Sequence, residues 1–112
     1  MPADPEAMQR MLTQMQAEYR RALPEMLAEI ASLWRDLAAA SEPAARLEEL
    51  RRHAHTIAGA AKTFGLPAEG DAARALEASI DALIASGGVN QGEELRRVED
   101  LIEALHQPAQ AH

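Results

Sequence analysis

Apolar residues recur along this 112-residue chain at the three- and four-residue spacing of a helix face. Met8, Met11, Leu12, Met15 and Tyr19 make a first stripe, opened by Asp4-Pro5-Glu6 with Asp as N-cap and Pro in the first turn. Pro24 interrupts the pattern. It has no N–H and clashes with the preceding turn, which predicts a kink or break near Leu23. Leu23, Leu27, Ile30, Trp34 and Leu37 then keep helical period to about Ala39, and Ser41-Glu42-Pro43 reads as a turn and restart. The next helix spans about Ala44 to Phe64, with Leu47, Leu50, Ala54, Ile57, Ala61 and Phe64 on one side and Gly65 as a left-handed stop. Pro67 opens a segment whose buried face is Ala72, Ala73, Leu76, Ile80, Leu83 and Ile84, ended by Gly87-Gly88. Asn90 with Glu93 resembles a capping box for a last helix, faced by Leu95, Val98, Leu101, Ile102 and Leu105. Residues 1–4 and 107–112 are expected to fray.

Each helix has one apolar stripe and the connections are short. The economical packing is an all-α, up-down antiparallel four-helix bundle with an additional short N-terminal helix. No repeat or internal boundary divides the chain, so residues 1–112 are expected to form a single domain. Composition supports the class: 47% of residues are hydrophobic, mostly Ala and Leu, whereas the aromatics are Tyr19, Trp34 and Phe64 alone. The absence of cysteine excludes disulfides, thiolate metal sites and thiol nucleophiles. A net charge of −7 argues against binding nucleic acid or an anionic membrane. No apolar run approaches the ~20 residues of a membrane span, and no basic-then-apolar start suggests a secretory signal. A cytoplasmic monomer without cofactor or metal is expected. The sign of the charge reverses in one place, where Arg46, Arg51, Arg52 and Lys62 outnumber Glu48 and Glu49.

The candidate chemistry lies in that basic segment. At roughly 100° per residue, His55 points away from the apolar stripe of its helix, together with Arg51, Gly59 and Lys62. Glycine within a helix costs about 1 kcal/mol relative to alanine. In an alanine-rich chain, Gly59 one turn from His55 therefore points to a steric need: access to the imidazole, or close packing against a neighbouring helix. His53 diverges from His55 on a helix, so the two cannot chelate one metal; it reads as a flank residue, and His106 and His112 as tail residues. No Gly-rich phosphate loop, Ser-His-Asp arrangement or metalloprotease motif is present.

His55-Thr56-Ile57-Ala58-Gly59-Ala60-Ala61, then Gly65-Leu66, then Ala73-Arg74-Ala75-Leu76-Glu77 resembles the signature of histidine-containing phosphotransfer domains of bacterial phosphorelays. That pattern has an aliphatic residue two after the histidine, lysine three on, glycine four on, two small residues, glycine ten on, and a Leu-Glu or Leu-Gln pair ending 22 on. This chain departs from it at Ala58, where lysine is usual, and at Glu69, where an apolar residue is common. The resemblance implies a phosphocarrier rather than an enzyme. His55 would accept a phosphoryl group from a receiver-domain aspartate or a histidine kinase and pass it to another receiver aspartate. Glu77 would orient the imidazole through Nδ1, Lys62 and Arg51 would stabilise the phosphoryl group in place of the missing lysine, and Gly59, Arg52, Thr56 and Ala58 would meet the partner. Response-regulator receivers would supply the catalytic aspartate and a divalent cation. The alternative is an interaction module that docks kinases or receivers without carrying phosphate.

Overall fold

A computed structural model describes residues 4–86 and 92–110, and these form four α-helices and one short 3-10 turn, with no strand among them. Helix α1 spans Pro5–Asp36, a 3-10 turn covers Leu37–Ala39, α2 spans Pro43–Thr63, α3 Pro67–Ala85 and α4 Gly92–Gln110. Local chemistry sets most ends. Asp4, in extended conformation, accepts a hydrogen bond from the Glu6 N–H at 3.1 Å. Pro43 and Pro67 occupy first-turn positions, where a missing N–H costs nothing. Gly65 has φ of +78°, with its N–H bonding the Lys62 carbonyl and the Leu66 N–H bonding that of Ala61, a Schellman closure of α2.

Of the kink or break expected near Leu23, the break is absent, since α1 continues through Pro24 for 32 residues. A proline inside a helix costs about 3 kcal/mol. Leu23, Leu27, Ile30 and Leu33 are buried on this stretch, and each contributes about 1.5–3 kcal/mol by leaving water. Pro24 lies on the exposed side, where water can satisfy the freed carbonyl. The separate N-terminal helix is thus the first half of α1. The Gly87-Gly88 stop and Asn90 cap lie outside the described residues. So do residues 1–3, 111 and 112. Helix α4 runs on to Gln110 through part of the tail expected to fray.

Helix α2 packs against α3 and α3 against α4, while α1 packs against α2 and α4. Leu50, Ala54, Ala61, Ala73, Leu76, Ile80, Leu83 and Val98 are inaccessible to solvent in the centre. The α2–α3 seam is narrow because its residues are small. A Cβ on Gly70 would lie 2.7 Å from Lys62 Cγ and 3.3 Å from the Ala58 carbonyl oxygen. The stripes omitted several residues that are buried: Leu33, Ala58, Glu69, Gly70 and Ser79. Glu69 sits in the first turn of α3, where the helix dipole favours a carboxylate. In the opposite direction, Met8, Met11, Leu12 and Met15 remain 40–58% exposed. No helix among the described residues is long and apolar enough to cross a membrane.

Candidate functional site

The exposed side of α2 meets α3 at His55. Its side chain is 69% exposed, and Nδ1 lies 2.9 Å from Oε2 of Glu77, which is itself 19% exposed. As a carboxylate, Glu77 only accepts, so Nδ1 carries the proton and the lone pair is left on Nε2. The structure therefore brings together two of the residues singled out in sequence, one from each helix.

Arg51, one turn before His55, is drawn to α3 by carboxylates. Its Nε lies 3.1 Å from Glu48 and 3.7 Å from Asp81, and Nη1 lies 3.8 Å from the same Glu77 oxygen that faces His55. The hydrogen bond and charge of Glu48 raise the guanidinium pKa above its usual value. Desolvation opposes this effect, and the charges of Asp81 and Glu77 add to it. The guanidinium thus sits on the Nδ1 side of the ring, and its nearest partners are carboxylates.

Lys62 also pairs away from His55, with Nζ 3.0 Å from Asp71 of α3, across Gly70. Both partners are well exposed, 44% and 70%, and such pairs are worth only about 0–1 kcal/mol. Lys62 lies seven residues beyond His55, ~10 Å along the helix axis.

Around the imidazole, a Cβ added to Gly59 would meet nothing within 4 Å. Of the two explanations for this glycine, close packing within the chain is removed. Arg52 and Thr56 are exposed, and the Thr56 hydroxyl is tied to the Arg52 carbonyl at 3.0 Å. Ala58 differs from its assignment to the docking face. It is 4% exposed and lies in the α2–α3 seam, because its side faces Gly70 rather than solvent. His53 lines a groove with Met26, Arg52, Thr56 and Ile57 on the α1 side, so it turns away from His55.

Sequence reasoning missed Glu48, Asp81, Asp71 and Gly70. Glu48 was legible at a three-residue helical spacing from Arg51. The other three come from α3, and no spacing within one helix could have assigned them. Among the described residues, no group of three or more His, Asp or Glu side chains could hold a metal ion.

No curated protein and no solved structure matches the chain. A family model does: that of the Hpt domain, across residues 10–108. This match contains all four helices' core positions and the whole His55 site, and the chain belongs to the Hpt domain family, the phosphocarrier modules that exchange phosphoryl groups with kinases and receiver domains in two-component phosphorelays.

Proposed function

We propose that this protein is a phosphorelay intermediate carrying its phosphoryl group on Nε2 of His55, within an up-down antiparallel bundle. One observation carries the reading: an imidazole 69% exposed on the α2–α3 face has its Nδ1 held at 2.9 Å by Glu77. The Nε2 lone pair attacks the phosphorus of an aspartyl phosphate on a receiver domain. A nitrogen–phosphorus bond forms, the acyl oxygen–phosphorus bond breaks, and the receiver aspartate leaves as a carboxylate. Onward transfer reverses the roles, with a second receiver aspartate attacking the same phosphorus. A phosphohistidine of a histidine kinase can serve as donor by the corresponding displacement, in which its nitrogen–phosphorus bond breaks and the kinase imidazole leaves.

Glu77 fixes the tautomer, and Arg51 is a positioning residue that acts on His55 through Glu77 rather than on the phosphoryl group. Lys62 supplies the cation near the phosphoryl group, exchanging its weak surface pair with Asp71 for a more highly charged partner. Gly59, Arg52 and Thr56 form the docking face, and Ala58 supports it from below. The receiver brings the aspartate and a divalent cation, and we place the exchange in the cytoplasm.

Incubation with a phosphorylated cognate receiver or kinase tests this directly. The wild-type chain should acquire acid-labile, base-stable label. No label from any cognate donor would sink the reading. The second reading, a docking module without phosphate transfer, is favoured by the pairing of both Arg51 and Lys62 with carboxylates. It predicts receiver binding with no label.

Lys62→Ala is expected to shorten the phosphohistidine lifetime on the order of five-fold, the factor that ~1 kcal/mol of exposed charge interaction supplies. Thermal stability should change by less than about 0.5 kcal/mol. If the lifetime is unchanged and Arg51→Ala shortens it instead, the stabilising cation is Arg51.

A further inference from the structure

Helix α1 passes the end of α2 and continues beyond it. Tyr19 stacks on Phe64 with ring centroids 5.2 Å apart, and Gln16 Nε2 lies 2.8 Å from where a Cβ on Gly65 would sit. Met26, farther along α1, borders Thr56 and Ile57. The chain therefore leaves the end of α2 near Gln16, and Pro5–Met15 overhang by ~16 Å at 1.5 Å per residue. The longest dimension of the molecule, 56 Å, fits a 32-residue helix that outruns partners of 19 to 21 residues.

The overhang carries Met8, Met11, Leu12 and Met15, each 40–58% exposed, on the same face that becomes the core at Leu23. A free helix this short is marginal in water, and an apolar stripe along it calls for a cover. We infer that the cover is a second copy of this chain, with two overhangs pairing antiparallel about a two-fold axis near Leu12. The proposal does not depend on the phosphotransfer reading, and it replaces the monomer expected from sequence.

Three features select a second copy. The stripe repeats at the three- and four-residue spacing of a helix–helix seam, and a two-fold pairing sets it against itself. Its flanks are mostly uncharged, with Ala7, Gln9 and Gln16 beside it and Glu18 the one charge at its edge, so little charge is buried by the approach. Charge distribution points the same way. Residues 5–21 hold Glu6 and Glu18 against Arg10, Arg20 and Arg21, so this segment is slightly positive in a chain of net charge −7. Two copies repel least here. Four side chains and their flanks cover less than the ~800 Å² per partner of a standard interface. The dimer is accordingly weak and dependent on concentration. His55 lies ten residues before Gly65, ~15 Å down α2, and stays accessible.

Sedimentation equilibrium from ~10 µM to ~1 mM tests the pairing, a range that brackets weak association. The weight-average mass of the wild type should climb toward twice that of the monomer. Met11→Glu combined with Met15→Glu should remain monomeric with unchanged helical circular dichroism and unchanged labelling. Because the chain has no cysteine, Leu12→Cys on the stripe should oxidise to a covalent dimer several-fold faster than Thr13→Cys on the opposite face. A wild type that stays monomeric throughout overturns the proposal, as does a double variant that associates like wild type. Loss of receiver binding in the double variant without any change of mass would assign the face to a receiver and also overturn it.

Discussion

Replacing His55 with glutamine will leave a folded helical protein that takes up no label. The imidazole is 69% exposed, so its loss opens no cavity, and surface substitutions of this kind change stability by about 0.5 kcal/mol or less. Glutamine is also close enough in reach to donate its amide N–H to Glu77, so the α2–α3 contact survives. What disappears is the nucleophile. An amide nitrogen has its lone pair delocalised into the carbonyl and cannot displace a carboxylate from phosphorus, so labelling falls to background rather than by a modest factor. Melting temperature and label uptake measured on the same preparation separate loss of chemistry from loss of fold. The one nearby alternative acceptor is His53, which lies on the α1 side in the groove with Met26 and Ile57. Label persisting in His55→Gln and vanishing in His53→Gln would move the site to that groove.

Helix class, core stripes and most helix ends could be read from the chain because they rest on local chemistry. Gly65 takes a positive φ at a helix end, and Pro43 and Pro67 sit where prolines start helices. Pro24 misled for a physical reason: a local penalty of about 3 kcal/mol competes with the burial of four large side chains, a sum no local rule includes. The site divides the same way. The rotation of a helix puts His55 outside and sends His53 elsewhere, which sequence alone can establish. The fate of Arg51 and Lys62 depends on carboxylates of α3, namely Glu77, Asp81 and Asp71. Which face of α3 meets α2, and how closely, is decided by packing, and that packing also buries Ala58.

The two glycines of the site, one open and one buried, are expected to respond to the same substitution with opposite signs. At Gly70 a Cβ must displace Lys62 Cγ at 2.7 Å and press on the backbone oxygen of Ala58 at 3.3 Å. A leucine there forces α3 away from α2. Overpacking of this kind costs about 1–3 kcal/mol, which lowers the melting temperature by roughly 4–12 °C at about 4 °C per kcal/mol for a domain near this size. Separating the helices also loosens the His55–Glu77 contact, so label uptake should fall with stability. At Gly59 the added side chain meets nothing. Replacing a helical glycine there recovers up to about 1 kcal/mol of helix propensity, so Gly59→Leu should melt at the same temperature or a few degrees higher. It nonetheless places a bulky group one turn from His55 on the face a receiver must approach. Transfer from a phosphorylated receiver is expected to slow by about ten-fold, the equivalent of ~1.4 kcal/mol. Uptake from a small phosphodonor such as phosphoramidate, which needs no docking surface, should stay close to wild type. A slow reaction with both donors would mean that the leucine disturbs the imidazole itself. Unchanged kinetics with both would leave the glycine at position 59 without the steric purpose assigned to it.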